Sequence, residues 1–355
     1  MRIISYLTEP ASYTLDLISK VHSKHGIDYK FLQRKTSAKS SKLLNNKIFL
    51  NELNFFSRIR TIYTDYKKYD VIVFNGYDRL DFIFLLIIHI FSKNKTPIGL
   101  ESDTQLRIPK NFLKRVIKKL YLNFVFKLSK IHGLSGGNYS HRHLFSYYGM
   151  KEENIHFLPM VIDVEKLNFD PNRNRNDFFT FIFVGRFIPL KQIEYIIKSF
   201  KMAFHKQYVK LNLIGDGPLF KELMDKYSCN SICFKGALYD QDLLDEYKNA
   251  HVLILASNKE QWGLVINEAL AAGLAVLSNN KVGANYDLLE NKKTGYIFDS
   301  NIENDLCEKM KLIYSQKNVF DQFCRNGYQL MHTYWNFNLY KEMLFNAANK
   351  MTKND

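Results

Sequence analysis

Glu260 and Glu268 lie in the run Ala256-Ser-Asn-Lys-Glu-Gln-Trp-Gly-Leu-Val-Ile-Asn-Glu-Ala-Leu-Ala-Ala-Gly273, with Gly263 between them. The preceding segment, His251 to Ala256, is apolar like a buried strand. Gly263 opens a run of good helix formers and Gly273 closes it. The pattern therefore predicts strand, loop and helix, with one glycine at the turn and another just past the helix end. At such a helix start the amides of Gly263, Leu264 and Val265 lack intrahelical acceptors and make an anion site. Glu260 falls in the loop before it and Glu268 inside the helix. Two carboxylates beside an anion site repel a bare anion. They suit a ligand that carries a diphosphate together with hydroxyl groups, as a nucleoside diphosphate sugar does. An amphipathic helix packed on a sheet, with Glu268 complementing its dipole, accounts for the same residues without a ligand.

A second group lies upstream. In Val184-Gly185-Arg186-Phe-Ile-Pro-Leu-Lys191, Gly185 permits a tight exit from a strand and two cations flank the loop that starts a helix. Arg186 as a fork and Lys191 as a point charge could neutralise a diphosphate; a solvated basic pair is the plainer alternative. Ile214-Gly-Asp-Gly-Pro218 is a glycine-rich turn after another strand.

The elements that must carry these groups alternate strand and helix through both halves. Strands are predicted at 2–7, 28–32, 71–74, 97–100 and 131–134, with helices near 12–24, 53–66, 80–91, 111–127 and 139–147. After the polar run Asp170-Pro-Asn-Arg-Asn-Arg-Asn-Asp177 the rhythm restarts. Strands follow at 179–184, 210–214, 232–234, 251–256, 275–278 and 295–298. This implies an α/β protein of two doubly wound, Rossmann-like domains facing a cleft, with ligands at the C-terminal ends of the strands. The boundaries expected are 1–168, 177–334 and a final helical segment, 335–355. Thr36 to Lys47, rich in Ser, Lys and Asn, reads as a mobile loop.

The chain has 355 residues, which favours two domains. The longest apolar run, Phe82 to Phe91, is too short to span a bilayer, and the N-terminus shows no signal-peptide pattern, so a cytoplasmic protein is expected. Cys229, Cys233, Cys307 and Cys324 lack zinc-ligand spacing and fit a reducing compartment. Net charge is +15, but residues 1–160 hold 26 Lys and Arg against 12 Asp and Glu, and the remainder 24 against 23. The excess in one half points to an anionic partner there. No nucleic-acid motif or basic–aromatic single-strand platform is present, so nucleic acid is not expected.

In order, strand-G-R-x4-K, I-G-D-G-P, F-x-G and E-x7-E closing on A-x-G resemble the retaining glycosyltransferases of family 4, which have the GT-B fold. The resemblance covers Thr180 to Phe298. The form E-Q-W-G-L-V-x-N-E-A-L further resembles a subgroup common in bacterial polysaccharide and envelope gene sets, including capsule and lipopolysaccharide synthesis. It implies transfer of a sugar from a nucleoside diphosphate donor, such as a UDP-sugar, with retention of configuration and without a metal or other cofactor. Arg186 and Lys191 would hold the diphosphate as it leaves. Glu260 would contact the transferred sugar and Glu268 the ribose. Gly185 and the amides of Gly263, Leu264 and Val265 would border phosphate, and Lys235-Gly236-Ala237-Leu238 would lie against the base. The resemblance also implies that the helix at 335–355 would cross back to the first domain, as in similar proteins. A non-catalytic scaffold of the same fold, or a sugar epimerase or phosphorylase, are the other classes weighed.

The first half departs from that pattern. Family members often carry a glycine-rich loop after the first strand, where this chain has Thr8-Glu-Pro-Ala-Ser12. Where they often carry a histidine near the reacting carbon, this chain reads Gly99-Leu-Glu-Ser-Asp-Thr104. Glu101 or Asp103 would take that place, or act as a helix-capping loop acid. Asn75-Gly76 could line the acceptor side, and Met160-Val161 stand where Asn-Gly is usual.

Between Arg107 and Lys130, apolar Leu113, Val116, Ile117, Leu120, Tyr121, Phe124 and Leu128 recur at helical spacing. Lys110, Lys114, Arg115, Lys118 and Lys119 occupy the other faces. Such a helix can lie on an anionic membrane, or its stripe can be core. The combined expectation is a cytoplasmic enzyme, peripheral on the inner membrane face. Its second half would bind the donor and its basic first half a saccharide or lipid-linked acceptor.

Overall fold

The computed structural model describes residues 1–34, 48–173, 178–204, 208–290 and 292–353. The loop expected at Thr36–Lys47 and residues 174–177 of the expected linker lie outside them. The chain divides into two compact units, Met1–Ile162 with Phe337–Asp355, and Asp163–Asn336. The division precedes the polar run at Asp170. The reason is local: Val164 and Leu167, in the short 3-10 turn Val164–Leu167, are buried on the helices of the second unit.

The first unit is a six-stranded parallel sheet in the order β2-β1-β3-β4-β5-β6. Its strands are β1 (Ile3–Leu7), β2 (Asp28–Phe31), β3 (Val71–Asn75), β4 (Ile98–Ser102), β5 (Ile131–Ser135) and β6 (Ile155–Phe157). β1 and β5 are buried at every position, as strands covered on both faces must be. Sequence reasoning did not predict β6, whose three residues Ile-His-Phe give too short a pattern. Register aligns Ile72, Ile98 and Ile131 across neighbouring strands.

The helices are α1 (Ser12–Leu17), α2 (Ser23–His25), α3 (Phe55–Lys68), α4 (Leu80–Phe91), α5 (Phe112–Phe126) and α6 (Ser140–Tyr147). A π turn, Ile18–His22, joins α1 to α2 within what the sequence presents as one helix. Asn54 and Asn111 cap α3 and α5 by accepting from the Ser57 and Lys114 amides, both at 2.9 Å. Right-handed crossovers put α3, α4, α5 and α6 on one face of the sheet and α1 on the other. The C-terminal helix Phe337–Lys353 packs on β3, β6 and the π turn.

The second unit is a six-stranded parallel sheet in the order β12-β11-β10-β7-β8-β9. Its elements run β7 (Phe179–Val184), α7 (Ile193–Ala203), β8 (Val209–Ile214), α8 (Phe220–Tyr227), β9 (Ile232–Gly236) and α9 (Asp240–Asn249). They continue with β10 (Val252–Leu255), α10 (Leu264–Ala271), β11 (Ala275–Asn279), β12 (Gly295–Phe298), α11 (Asp305–Ser315) and α12 (Lys317–Gln329). Its core is aromatic, with Phe181, Phe183, Phe187 and Phe200 packed between sheet and helices. In each unit the strand order reverses beside the first strand: between β1 and β3, and between β7 and β10.

Candidate functional site

The loops after β7 and β10 leave their sheet at the reversal point, where open α/β sheets bind ligands. They are tied together there. Lys191, in the 3-10 turn Pro189–Lys191, donates to the Glu260 carboxylate in an ion pair, and Ser257 Oγ donates to the same oxygen at 3.0 Å. The Asn258 amide donates to the Leu190 carbonyl at 2.9 Å. The Glu260 carbonyl accepts from the Gly283 amide at 3.2 Å. Lys191 and Glu260, expected to act on phosphate and sugar separately, are thus partners, each about one-fifth exposed. Arg186 is exposed, and its guanidinium has no side-chain partner among the described residues.

Glycine is required where the turns after β7, β8 and β9 pack backbone against backbone. Gly185 N donates to Ile214 O at 3.0 Å, Phe187 N to Asp216 O at 2.9 Å, and Gly215 N to Gly236 O at 2.8 Å. At Gly215, φ is +130°, and a Cβ would sit 1.9 Å from the Gly185 carbonyl oxygen. I-G-D-G-P is therefore the seam that lets three loop ends meet. Of the segment Lys235–Leu238, Lys235 turns to Glu246 at 3.1 Å and Gly236 takes φ +70°, leaving Ala237 and Leu238 to follow it past the strand end.

Gly263 is the N-cap of α10, at φ +97° with no side-chain cap, and among the described residues no acceptor takes the amides of Gly263, Leu264 or Val265. The loop before it is fixed by Trp262, which is buried. Trp262 stacks on Trp335 at 5.8 Å and donates through Nε1 to Asn267 at 2.8 Å. Glu268, one turn into α10, accepts from the Tyr247 hydroxyl at 2.6 Å. Burial pushes its carboxyl up, opposed by that hydrogen bond. Tyr247 and Ser257 were not singled out from the sequence. Tyr247 sits on the apolar stripe of α9 with Leu243 and Leu244, and such a stripe reads as core.

The first unit has a cavity of about 280 Å³ at its own reversal point. Thr8 follows β1, Asn75 ends β3, and Glu101 lies in β4; Met160 and Val161 come after β6, and Tyr340 comes from the C-terminal helix. Thr8 Oγ1 donates to Asn75 Oδ1 at 2.6 Å, and the Asn75 side chain is near enough to Glu101 to oppose the rise in its pKa. Burial pushes the Glu101 carboxyl up to about 7, with the Asp103 charge adding to the rise. Both acids line the cavity, so the structure brings together the two alternatives the sequence left open. Glu101 is the part-buried one and Asp103 the exposed one. Gly76, at φ +88°, makes the turn that follows Asn75.

On α5 the core takes Leu122, Val125 and Phe126. Leu113, Ile117, Leu120 and Phe124 are exposed, at 65%, 58%, 68% and 53%. The stripe read as either core or surface is therefore largely surface. Phe91 at the end of α4 and Phe56 on α3 are exposed at 83% and 82%, on the same side of the sheet. Lys110, Lys114, Arg115 and Lys119 are exposed as expected, and Arg115 lies over the Phe112 ring. Lys118 departs from the expectation: it is half-buried, with its ammonium 5.4 Å from the Tyr148 ring centre. Among the described residues no helix is long and apolar enough to cross a membrane.

Residues 164–330 match the family model described as glycosyl transferases group 1. The capsular polysaccharide biosynthesis glycosyltransferase CapM of Staphylococcus aureus is 27% identical over 180 residues, 49% of this chain and 46% of that protein. The chain spans less than half the length of the curated relatives it matches. Among solved structures, a glycosyltransferase from Rickettsia africae ESF-5 has a TM-score of 0.74 at 16% identity, covering 100% of this chain and 99% of that one. Anabaena Alr3699/HepE, in complex with UDP, has a TM-score of 0.73 at 14% identity, covering 98% and 100%. The fold is GT-B. The family match falls within the second unit.

Proposed function

We propose that this GT-B chain, with its group 1 glycosyl transferase match over residues 164–330, is a retaining family 4 enzyme of envelope or capsule glycan synthesis. It moves a hexose-type sugar from a nucleoside diphosphate donor on the second unit to a saccharide or lipid-linked acceptor on the first. One observation carries the reading. At the reversal point of the second sheet, three amides that meet no acceptor among the described residues lie between Glu260 and Glu268 in the chain, and Arg186, with no side-chain partner among the described residues, is in the loop after the neighbouring strand β7. In this reading the amides and Arg186 take the diphosphate, Glu268 the ribose hydroxyls, and Glu260 the hydroxyls of the transferred sugar. The bond from the sugar carbon to the leaving phosphate oxygen breaks. The acceptor oxygen bonds that carbon from the same face, and the acceptor proton leaves with the departing diphosphate. Fixed donors and cations bear the developing charge, so no step is assigned to a metal. Lys191 shifts part of its charge from Glu260 to phosphate when the donor binds.

A thermal-shift series with UDP, GDP, ADP and CDP tests the donor site, UDP first because a solved structural neighbour is in complex with it. One nucleotide should raise the melting temperature of the wild type, and Glu268→Ala should abolish that shift. If no nucleotide moves the wild type, the reading fails.

The exposed apolar residues of α3, α4 and α5, flanked by Lys110, Lys114, Arg115 and Lys119, support a peripheral site on an anionic bilayer at the cytoplasmic face. There the aromatic and aliphatic side chains enter the headgroup region and the cations meet lipid phosphates, each worth about 1 kcal/mol. The site would hold the enzyme where a lipid-linked acceptor is found.

A further inference from the structure

The cavity of the first unit is opposite in character to the surface around it. Residues 1–160 carry more than twice as many cations as acids, yet three carboxylates, Glu9, Glu101 and Asp103, line the cavity and no Lys, Arg or His does among the described residues. Its remaining polar groups are neutral. Leu7, Leu17, Pro159 and Val161 give it an apolar wall.

Tyr340 supplies the independent observation. It is 2% exposed and lines the cavity from the C-terminal helix, and its hydroxyl has no hydrogen-bond partner among the described residues. Burial raises the Tyr340 hydroxyl's pKa, and Glu101 is near enough to add to the rise electrostatically. A buried hydroxyl left unpaired is costly in the free protein and is seldom found without a reason. A bound group that offers both a donor and an acceptor removes that cost. Asn75 is already held by Thr8 through its amide oxygen, and it lines the cavity beside Glu101. An anionic ligand would meet the charges of Glu9 and Asp103 and would push the raised Glu101 carboxyl further toward its protonated form, each at a cost. Its volume, about 280 Å³, is just below the roughly 300–1,000 Å³ of small-molecule sites, enough for one ring rather than a chain.

We infer that this cavity binds an uncharged, hydroxyl-rich sugar ring through the Tyr340 hydroxyl, the Asn75 amide and the Glu101 carboxyl group, and turns away sugars that carry an acidic group. It rests on the reading of the first unit as the acceptor side, and it names the acceptor's chemistry: a neutral terminal sugar, despite the basic charge of the unit. No cation lines the cavity among the described residues, and a cluster of them lies on α5, where it serves a different partner.

The test is ligand-observed NMR on the full chain. The panel is the methyl glycosides of glucose, galactose and N-acetylglucosamine, with methyl glucuronide and glucose 6-phosphate as anionic counterparts. At least one neutral glycoside should bind, and the anionic sugars at least about tenfold more weakly. Tyr340→Phe should weaken the neutral glycoside about tenfold while leaving the free protein's melting temperature equal or higher, because the substitution deletes an unpaired group. Glu101→Gln combined with Asp103→Asn should let the glucuronide in. Equal binding of anionic and neutral sugars overturns the inference, and so does a Tyr340→Phe variant with unchanged affinity. If UDP still shifts the melting temperature and no neutral glycoside binds, the inference fails and the donor reading stands; if UDP also fails, both fall.

Discussion

The second unit builds its site mainly from main chain: three amides at the start of α10, and the glycine seam where the turns after β7, β8 and β9 meet. The first unit builds its cavity from side chains delivered by β1, β3, β4, the loop after β6 and the C-terminal helix. Both lie where strand order reverses, so the architecture alone sets the location. The materials differ. A backbone site suits the constant part of a ligand, a diphosphate, and needs glycines at fixed spacings. A side-chain site suits the variable part, and its residues can be exchanged without disturbing the turns.

The largest effect should come from charge in the second unit. Arg186→Ala should lower kcat by about 10²–10³-fold, the usual range for removing one donor to developing charge, with the circular-dichroism spectrum unchanged. An Arg186→Ala enzyme of full activity would falsify that role.

The glycine comparison comes next. Gly215→Ala drives a Cβ to 1.9 Å from the Gly185 carbonyl oxygen, whereas at Gly76 nothing lies nearer than the Asp78 carboxylate at 3.6 Å. Gly215→Ala should cost about 3 kcal/mol or more in urea unfolding, and Gly76→Ala about 1 kcal/mol, from its φ alone. Equal costs would erase the distinction between a seam of packed backbones and an open turn.

On the outer face of the first unit, Leu113→Ser with Leu120→Ser should reduce co-sedimentation with phosphatidylglycerol vesicles by at least about tenfold, since each leucine buries roughly 1.5–3 kcal/mol of apolar surface. Neutral phosphatidylcholine vesicles should bind the wild type more weakly. If the double variant sediments with anionic vesicles as well as the wild type, that face does not contact lipid.

The smallest effect concerns Glu101. Its carboxyl is pushed up to about 7 from a usual value of 4.5 by burial, so the folded chain holds a proton there that the unfolded chain releases. Its contribution to stability is complete below about 4.5 and is lost as pH rises through 7. Against the wild type, Glu101→Gln should gain about 1–2 kcal/mol at pH 8 relative to pH 5.5, a range discounted for partial exposure. Parallel wild-type and variant stability profiles over that window would place Glu101 in ordinary solvent.

The two sites were not equally legible. Arg186, Lys191, Glu260, Gly263 and Glu268 lie in short segments whose spacing predicts turns, and the structure sets them around one reversal point. What spacing could not show is that Lys191 and Glu260 are partners 69 positions apart, or that Tyr247 from α9 donates to Glu268. In the first unit Glu101, Asp103, Asn75 and Met160 were visible only as candidates. Tyr340 was not visible at all, because a tyrosine on a helical stripe reads as core until its hydroxyl is seen to be unpaired.

Apolar periodicity determined the alternation of strands and helices, and with it two parallel sheets, since a strand buried on both faces and a helix buried on one have different repeats. Glycine positions determined where the chain turns at the strand ends, because φ near +100° is a local property. The tertiary structure decided what depends on distance rather than sequence separation. It turned the α5 stripe outward by giving the core Leu122, Val125 and Phe126 instead. It lined one cavity of a basic unit with three carboxyl groups and placed a buried hydroxyl in the same lining. A one-dimensional pattern records which residues are apolar or charged; which of them share a cavity is fixed only when strands distant in sequence pair side by side.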